Sequence, residues 1–169
     1  MSSLNFICWN CSGIYGNFVY ARELLKDSDI LALSEHWLYK DELCFLNSLD
    51  SNFDVFATSS SLNSDSTRWK RGQGGVALFW RKTIKVKKLT ATDRMIAIKI
   101  KCDSGREIVV CSVYLPSTNR SMAEFRQTLS ALKLLCLKEK GDNNLIILGD
   151  FNAHKTGERA IDRGNTRGR

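Results

Sequence analysis

The chain has 169 residues, 43% hydrophobic and 25% charged, which argues against disorder and suits one domain, residues 1–169, with a substantial core. No apolar run approaches the roughly 18 residues that a bilayer crossing needs. The start Met1-Ser2-Ser3-Leu4-Asn5 lacks the basic and apolar stretches of a secretory leader. The net charge of +7 is uneven: residues 1–67 carry −6 and residues 68–169 carry +13, as expected for a chain that meets a polyanion or presents a solvated basic face.

Leu4–Trp9 is apolar and rich in β-formers, so it predicts a first strand. Phe18, Ala21 and Leu25 follow at helical spacing, with Asn17 as the expected N-cap. Ile30–Leu33 and Phe53–Ala57 read as strands, and the polar stretch Ser59–Thr67 as a surface loop within the domain. The glycines of Gly72-Gln73-Gly74-Gly75 predict a hairpin turn, and no Gly-Lys-Ser/Thr follows to make a P-loop. Val76–Trp80, Ile84–Leu89, Met95–Ile100 and Ile108–Leu115 are four successive strands with no helix between them. Met95, Ala97 and Lys99 alternate with Ile96, Ile98 and Ile100, which predicts a half-buried antiparallel strand. Ser121–Lys140 predicts a helix with a Ser121/Glu124 capping box and a Gly141 C-cap. Its expected apolar face is Met122, Phe125, Leu129, Leu132 and Cys136. Leu145–Leu148 reads as a short buried strand. Antiparallel segments mixed with βα crossovers predict an α/β sandwich, two packed sheets covered by helices.

Polar residues recur where these strands end: Asn10, Glu35, Tyr114, Asp150 and Asn152. Strand ends converge at one rim of a sheet, and sites are commonly built there. Each residue also has a plainer explanation. Asn10 suits a turn, Glu35 a helix cap, Tyr114 the edge of a core and Gly149-Asp150 a turn. Two carboxylates and two amide oxygens are hard donors that suit Mg²⁺ or Mn²⁺ better than Zn²⁺. Such an ion polarises a phosphoryl group, a carboxylate beside it orients or deprotonates a water, and a tyrosine hydroxyl can bond a phosphate oxygen. The chemistry expected of the set is metal-assisted phosphodiester hydrolysis.

Seven segments, in order, carry a resemblance over essentially the whole chain. They are Phe6-Ile7-Cys8-Trp9-Asn10-Cys11-Ser12-Gly13, Leu31-Ala32-Leu33-Ser34-Glu35-His36-Trp37 and Gly74-Gly75-Val76-Ala77-Leu78-Phe79. Asp93-Arg94, Ser112-Val113-Tyr114-Leu115-Pro116 and Ile147-Leu148-Gly149-Asp150-Phe151-Asn152-Ala153-His154 follow, and Asp162–Arg169 closes the set. The chain resembles the endonuclease/exonuclease/phosphatase superfamily, especially the apurinic-endonuclease-like domains of LINE-type (non-LTR) retrotransposons. The resemblance implies a four-layer α/β sandwich of two packed mixed sheets flanked by helices. It implies Glu35 as the main metal ligand, Asn10 in support of the metal and phosphate, and Tyr114 on the scissile phosphate. It implies Asp150 aligning and activating the water, with Asn152 holding the nucleophile or phosphate and helping Asp150 at the metal. Asn165 would lie near bound DNA.

Ser12 stands where repair-type apurinic endonucleases tend to carry Asp, which favours the retrotransposon branch. The superfamily's later Ser/Thr-Asp pair and final Asp-His have no counterpart here, and of the two histidines, His36 and His154, neither is a substitute. The sequence therefore reads as a domain truncated at its C-terminus, poorly active alone, with an uncovered sheet edge. Arg68, Lys70 and Arg71 around Trp69 are candidate contacts to a DNA backbone, or equally a solvated loop. Arg81, Lys82, Lys85, Lys87 and Lys88 could form a solvent face. Cys8-Trp9-Asn10-Cys11 has redox or zinc spacing but no second pair. Cys44, Cys102, Cys111 and Cys136 read as small core residues, and six cysteines in this length suit reduced thiols.

Three functions follow: a DNA-nicking endonuclease domain, a phosphatase or phospholipase of the same superfamily, and a non-catalytic remnant that at most binds nucleic acid. The first carries the expectation of an intracellular protein acting in the nucleus on the DNA phosphate backbone, with no membrane partner. Oligomeric state is left open by the residues.

Overall fold

Period-two alternation along the strands sorts the apolar side chains into separate layers. The computed structural model describes residues 3–61, 71–102, 105–116, 121–139 and 144–152. In chain order these form β1 (Phe6–Asn10), α1 (Ile14–Asp27), β2 (Ile30–Ser34), a 3₁₀ segment (Lys40–Ser48) and β3 (Phe53–Thr58). β4 (Val76–Arg81), β5 (Val86–Thr92), β6 (Met95–Lys101), β7 (Glu107–Tyr114), α2 (Met122–Lys138) and β8 (Asn144–Asp150) follow. Two mixed four-stranded sheets result, ordered β1-β2-β4-β3 and β5-β6-β7-β8. Each holds one parallel pair, β1 with β2 and β7 with β8.

Leu31, Leu33, Ala77 and Phe79 pack outward with Ile14, Ala21 and Leu25 of α1. Ile30, Ala32, Val76, Leu78 and Trp80 of the first sheet meet Ile96, Ile98, Ile100 and Val110 of the second in a central layer. Met95, Ala97, Cys111 and Val113 face Leu132 and Leu135 of α2. Helix, sheet, sheet and helix make the four-layer α/β sandwich. Each fully buried side chain of this kind contributes about 1.5–3 kcal/mol, so the three apolar layers dominate the stability.

Several sequence expectations change here. α1 starts earlier, with Gly13 as its cap residue. Asn17 lies inside the helix and donates back to the Cys11 and Gly13 carbonyls. Phe18 tilts outward against Phe45. β6 is buried on both faces, because α2 covers the side that alternation assigned to solvent. Lys99 survives there by pairing with Glu107 and Glu139. On α2, Thr128, Leu132 and Leu135 are buried while Met122 and Leu129 are exposed. Only half of the expected capping box forms: Ser121 accepts from the Glu124 N–H, but the Glu124 carboxylate pairs with Arg94 at 2.6 Å. The strand expected from Ile84 begins at Val86, and β8 is half-buried rather than buried.

The 3₁₀ segment was not foreseen. The expected surface loop begins with a buried residue, Ser59, whose hydroxyl donates to the Leu38 carbonyl at 2.6 Å. Gly74 and Gly75 make no hairpin turn; they prolong the β2–β4 pairing. All six cysteines are free, and Cys44 is exposed. Lys82, Lys85, Lys87 and Lys88 are exposed as expected. Gly141 lies outside the described residues.

Candidate active site

The ends of β1, β2, β7 and β8 meet where the two sheets face each other. Asn10 ends β1 in the first sheet and Asp150 ends β8 in the second. The Asn10 amide nitrogen donates to Glu35 Oε1 at 3.0 Å and to Asp150 Oδ2 at 2.9 Å. Both of its hydrogens are thereby used, and two half-buried carboxylates are drawn to one nitrogen. Asn10 Oδ1 accepts from the Ser12 N–H at 3.1 Å, and Asp150 Oδ1 from the Asn152 N–H at 3.0 Å. The turn chemistry expected of these residues is thus present and also orients the site.

Glu35 sits just past β2 with φ +58, a conformation rare for a side chain of its size. Its N–H donates to the Gly75 carbonyl at 2.8 Å, and the Trp37 N–H to the Gly74 carbonyl at 3.0 Å. From the other side, its carbonyl accepts from Gly13 at 2.8 Å. These bonds hold the strained residue between two neighbouring segments. Ser12, Trp37 and Asn152 share the positive φ, and such clusters mark functional sites. Glu35 is no helix cap. Its Oε2 accepts from the Trp37 indole N–H at 3.1 Å, and the Tyr114 hydroxyl lies near the same carboxylate. Burial pushes the Tyr114 hydroxyl above its usual range, and the negative charge of Glu35 adds to this. Tyr114 therefore stays protonated at neutral pH. The Arg94 guanidinium lies 5.3 Å from its ring centroid. Asn152 spends its side-chain amide on the Leu115 carbonyl at 2.7 Å, which ties the segments after β7 and β8 together.

The five strand-end residues expected from the sequence are thus brought together. Arg71 lies at the same place, its guanidinium 3.8 Å from the centroid of the Trp37 ring. Arg68, Asn165 and His154 lie outside the described residues. Trp37 was missed as a site residue; its adjacency to Glu35 was the available signal. Cys8 neighbours Gly149 and Asp150 while Cys11 packs with α1, so the two thiols face opposite sides and form no metal or redox pair. A cavity of about 910 Å³ opens elsewhere, lined by Phe6, Ile84, Ile100, Arg106 and Ile108 among others; none of the candidate residues lines it.

His36 braces the Glu35 segment. Its Nδ1 accepts from the Leu38 N–H at 3.1 Å, so Nε2 carries the hydrogen given to the Thr58 carbonyl at 2.9 Å. Burial pushes the imidazole from 6.5 down to about 4, against the opposing pull of the Thr58 bond. The folded pKa lies below the unfolded one, so the unfolded chain takes the proton first as pH falls through 6.5. Stability is then lost down to about pH 4, with about 3 kcal/mol at stake. Urea midpoints at pH 7 and pH 4.5 should differ more for the unmutated chain than for His36→Gln. Equal differences would remove His36 as the acid-sensitive group.

The donor set fits a hard divalent ion. It offers carboxylate oxygens and no thiolate, and no group of three His, Cys, Asp or Glu suited to a metal is found among the described residues. A closed zinc site needs more ligands, whereas Mg²⁺ takes one or two carboxylates with water and substrate oxygens.

The Endonuclease/Exonuclease/phosphatase family model matches residues 7–169. No curated protein matches the chain. Among solved structures, the fold is similar to the 3' phosphatase NExo from Neisseria bound to product DNA hairpin. That match has a TM-score of 0.64 and 20% identity, and covers 89% of this chain and 58% of that one. The human Nocturnin catalytic domain with bound sulfate gives 0.61 and 23%, covering 88% and 63%. The AP endonuclease LMAP from Leishmania major gives 0.61 and 16%, covering 87% and 54%. The chain thus spans between 54% and 63% of the length of these structures.

Proposed function

The chain belongs to the endonuclease/exonuclease/phosphatase family, and on that premise we propose that it hydrolyses phosphodiesters with a divalent metal. We read it as the DNA-nicking endonuclease domain of a non-LTR retrotransposon-type protein, acting in the nucleus. The observation that carries the reading is the single Asn10 amide shared by Glu35 and Asp150 across the two sheets. The net +13 of residues 68–169 supports a phosphate-backbone partner, and the Neisseria relative is bound to product DNA hairpin.

Glu35, assisted by Asp150, Asn10 and Asn152, would hold Mg²⁺ or Mn²⁺, which when bound polarises the phosphoryl group and neutralises developing charge. Asp150 orients a water and accepts its proton as the water oxygen bonds to phosphorus. The bond from phosphorus to the leaving oxygen breaks in the same displacement. Tyr114, protonated beside Glu35, contacts the scissile phosphate. Asn152 holds the segment after β8 in register with Leu115. Arg71 and Arg68 contact the DNA backbone, and Asn165 lies near it.

Supercoiled plasmid incubated with Mg²⁺ tests this: slow nicking that chelation and Glu35→Ala both abolish is the expected result. Intact plasmid, with binding that weakens steeply as salt rises, would establish the non-catalytic reading instead. Phosphate release from inositol phosphates without nicking would establish a phosphatase.

A further inference from the structure

Trp37 is held in a way that its own chain neighbours do not require. Its φ is +58, an outlier for a bulky residue. The indole ring lies so close to Gly13 that a Cβ there would come within 2.5 Å of ring carbon Cε3, and Gly13 itself has φ +100. The Arg71 guanidinium rests 3.8 Å from the ring centroid. The indole N–H, a donor with no acceptor function, points at Glu35 Oε2 at 3.1 Å. Asn10 holds the other oxygen of the same carboxylate at 3.0 Å. The ring is therefore wedged by glycine on the protein side, stacked by arginine, and aimed at one atom.

We infer that Trp37 is a positioning residue for Glu35: its indole N–H fixes the rotation of the carboxylate so that its remaining lone pairs meet a divalent cation in one orientation. The inference rests on the metal-dependent reading given above. Partners that hold a ligating side chain are worth about 10–100-fold in metal affinity. Trp37→Phe keeps a ring in the wedge and removes only the N–H. Gly13→Ala keeps the N–H and displaces the ring.

Mn²⁺ binding to the whole chain, followed by the loss of the free-ion EPR signal, gives a readout separate from activity. Plasmid nicking as a function of Mg²⁺ and of DNA gives the second. Trp37→Phe should raise the Mn²⁺ Kd and the half-saturating Mg²⁺ about 10-fold or more, with the KM for plasmid changed less than about twofold. Gly13→Ala should move the same two quantities in the same direction. Unchanged Mn²⁺ affinity in Trp37→Phe, with the unmutated chain binding and nicking normally, overturns the inference and leaves the nuclease reading standing. A parallel loss of metal and DNA affinity in a variant with a lowered melting temperature also overturns it, since that is a packing role. If the unmutated chain neither binds Mn²⁺ nor nicks, the nuclease reading falls and this inference with it.

Discussion

Asp150→Asn should lower the plasmid-nicking rate about 10³-fold while leaving the fold intact. The substitution keeps the size of the side chain and removes its capacity to take a proton, a contribution usually worth 10²–10⁴ in rate. It also spoils a local pairing. Asp150 now accepts at both oxygens, from Asn10 Nδ2 and from the Asn152 N–H. An asparagine there turns an N–H₂ group toward one of those donors, whichever way it is rotated. That cost is of the order of 1–3 kcal/mol, too small to unfold a domain with three apolar layers. Single-turnover nicking with the melting temperature measured alongside checks it. Activity within tenfold of the unmutated chain would remove Asp150 as the base.

Gly149→Ala should do the converse, breaking the scaffold next door. Gly149 has φ +145, and a Cβ there would stand 1.8 Å from the Val113 carbonyl oxygen and 2.8 Å from its carbon. Val113 is its registered partner in the parallel β7–β8 ladder, so the obstacle is backbone and cannot swing away. The strands must part or the main chain must leave its conformation. Overpacking and backbone strain together are expected to cost about 3–5 kcal/mol, or roughly 10 °C in melting temperature for a chain of this size. Thermal unfolding by circular dichroism measures it. A melting temperature unchanged within about 2 °C would show that β8 accommodates a side chain here. Because β8 ends in Asp150, nicking should fall with it, and the paired melts separate this loss from that of Asp150→Asn.

The layering was legible because its signal is local. Alternation in Ile30–Leu33 and Val76–Trp80 places odd and even positions on opposite faces whatever lies far away. The expected sandwich came from antiparallel segments mixed with βα crossovers, and the polar residues after each strand were equally local. Burial of both faces of β6 was not legible. Alternation shows which side chains share a face, not what covers that face, and Met95 and Ala97 meet α2 from much later in the chain. The outward turn of Leu129 and Met122 has the same origin: several stripes on α2 are apolar enough, and the sheet selects one.

The kinds of donor at the site, two carboxylates and two amides at strand ends, are properties of the residues alone, as is the basic character of residues 68–169. That Asn10 joins Glu35 to Asp150, 140 positions away, depends on two sheets packing face to face so that β1 and β8 end at one rim. The strained turn at Glu35, the aim of the Trp37 N–H and the neutral, doubly bonded His36 arise in the same way. Each is fixed by backbone groups of Gly13, Gly74, Gly75 or Thr58, and hydrogen-bond partners supplied by distant segments leave no periodicity for a local pattern to reveal.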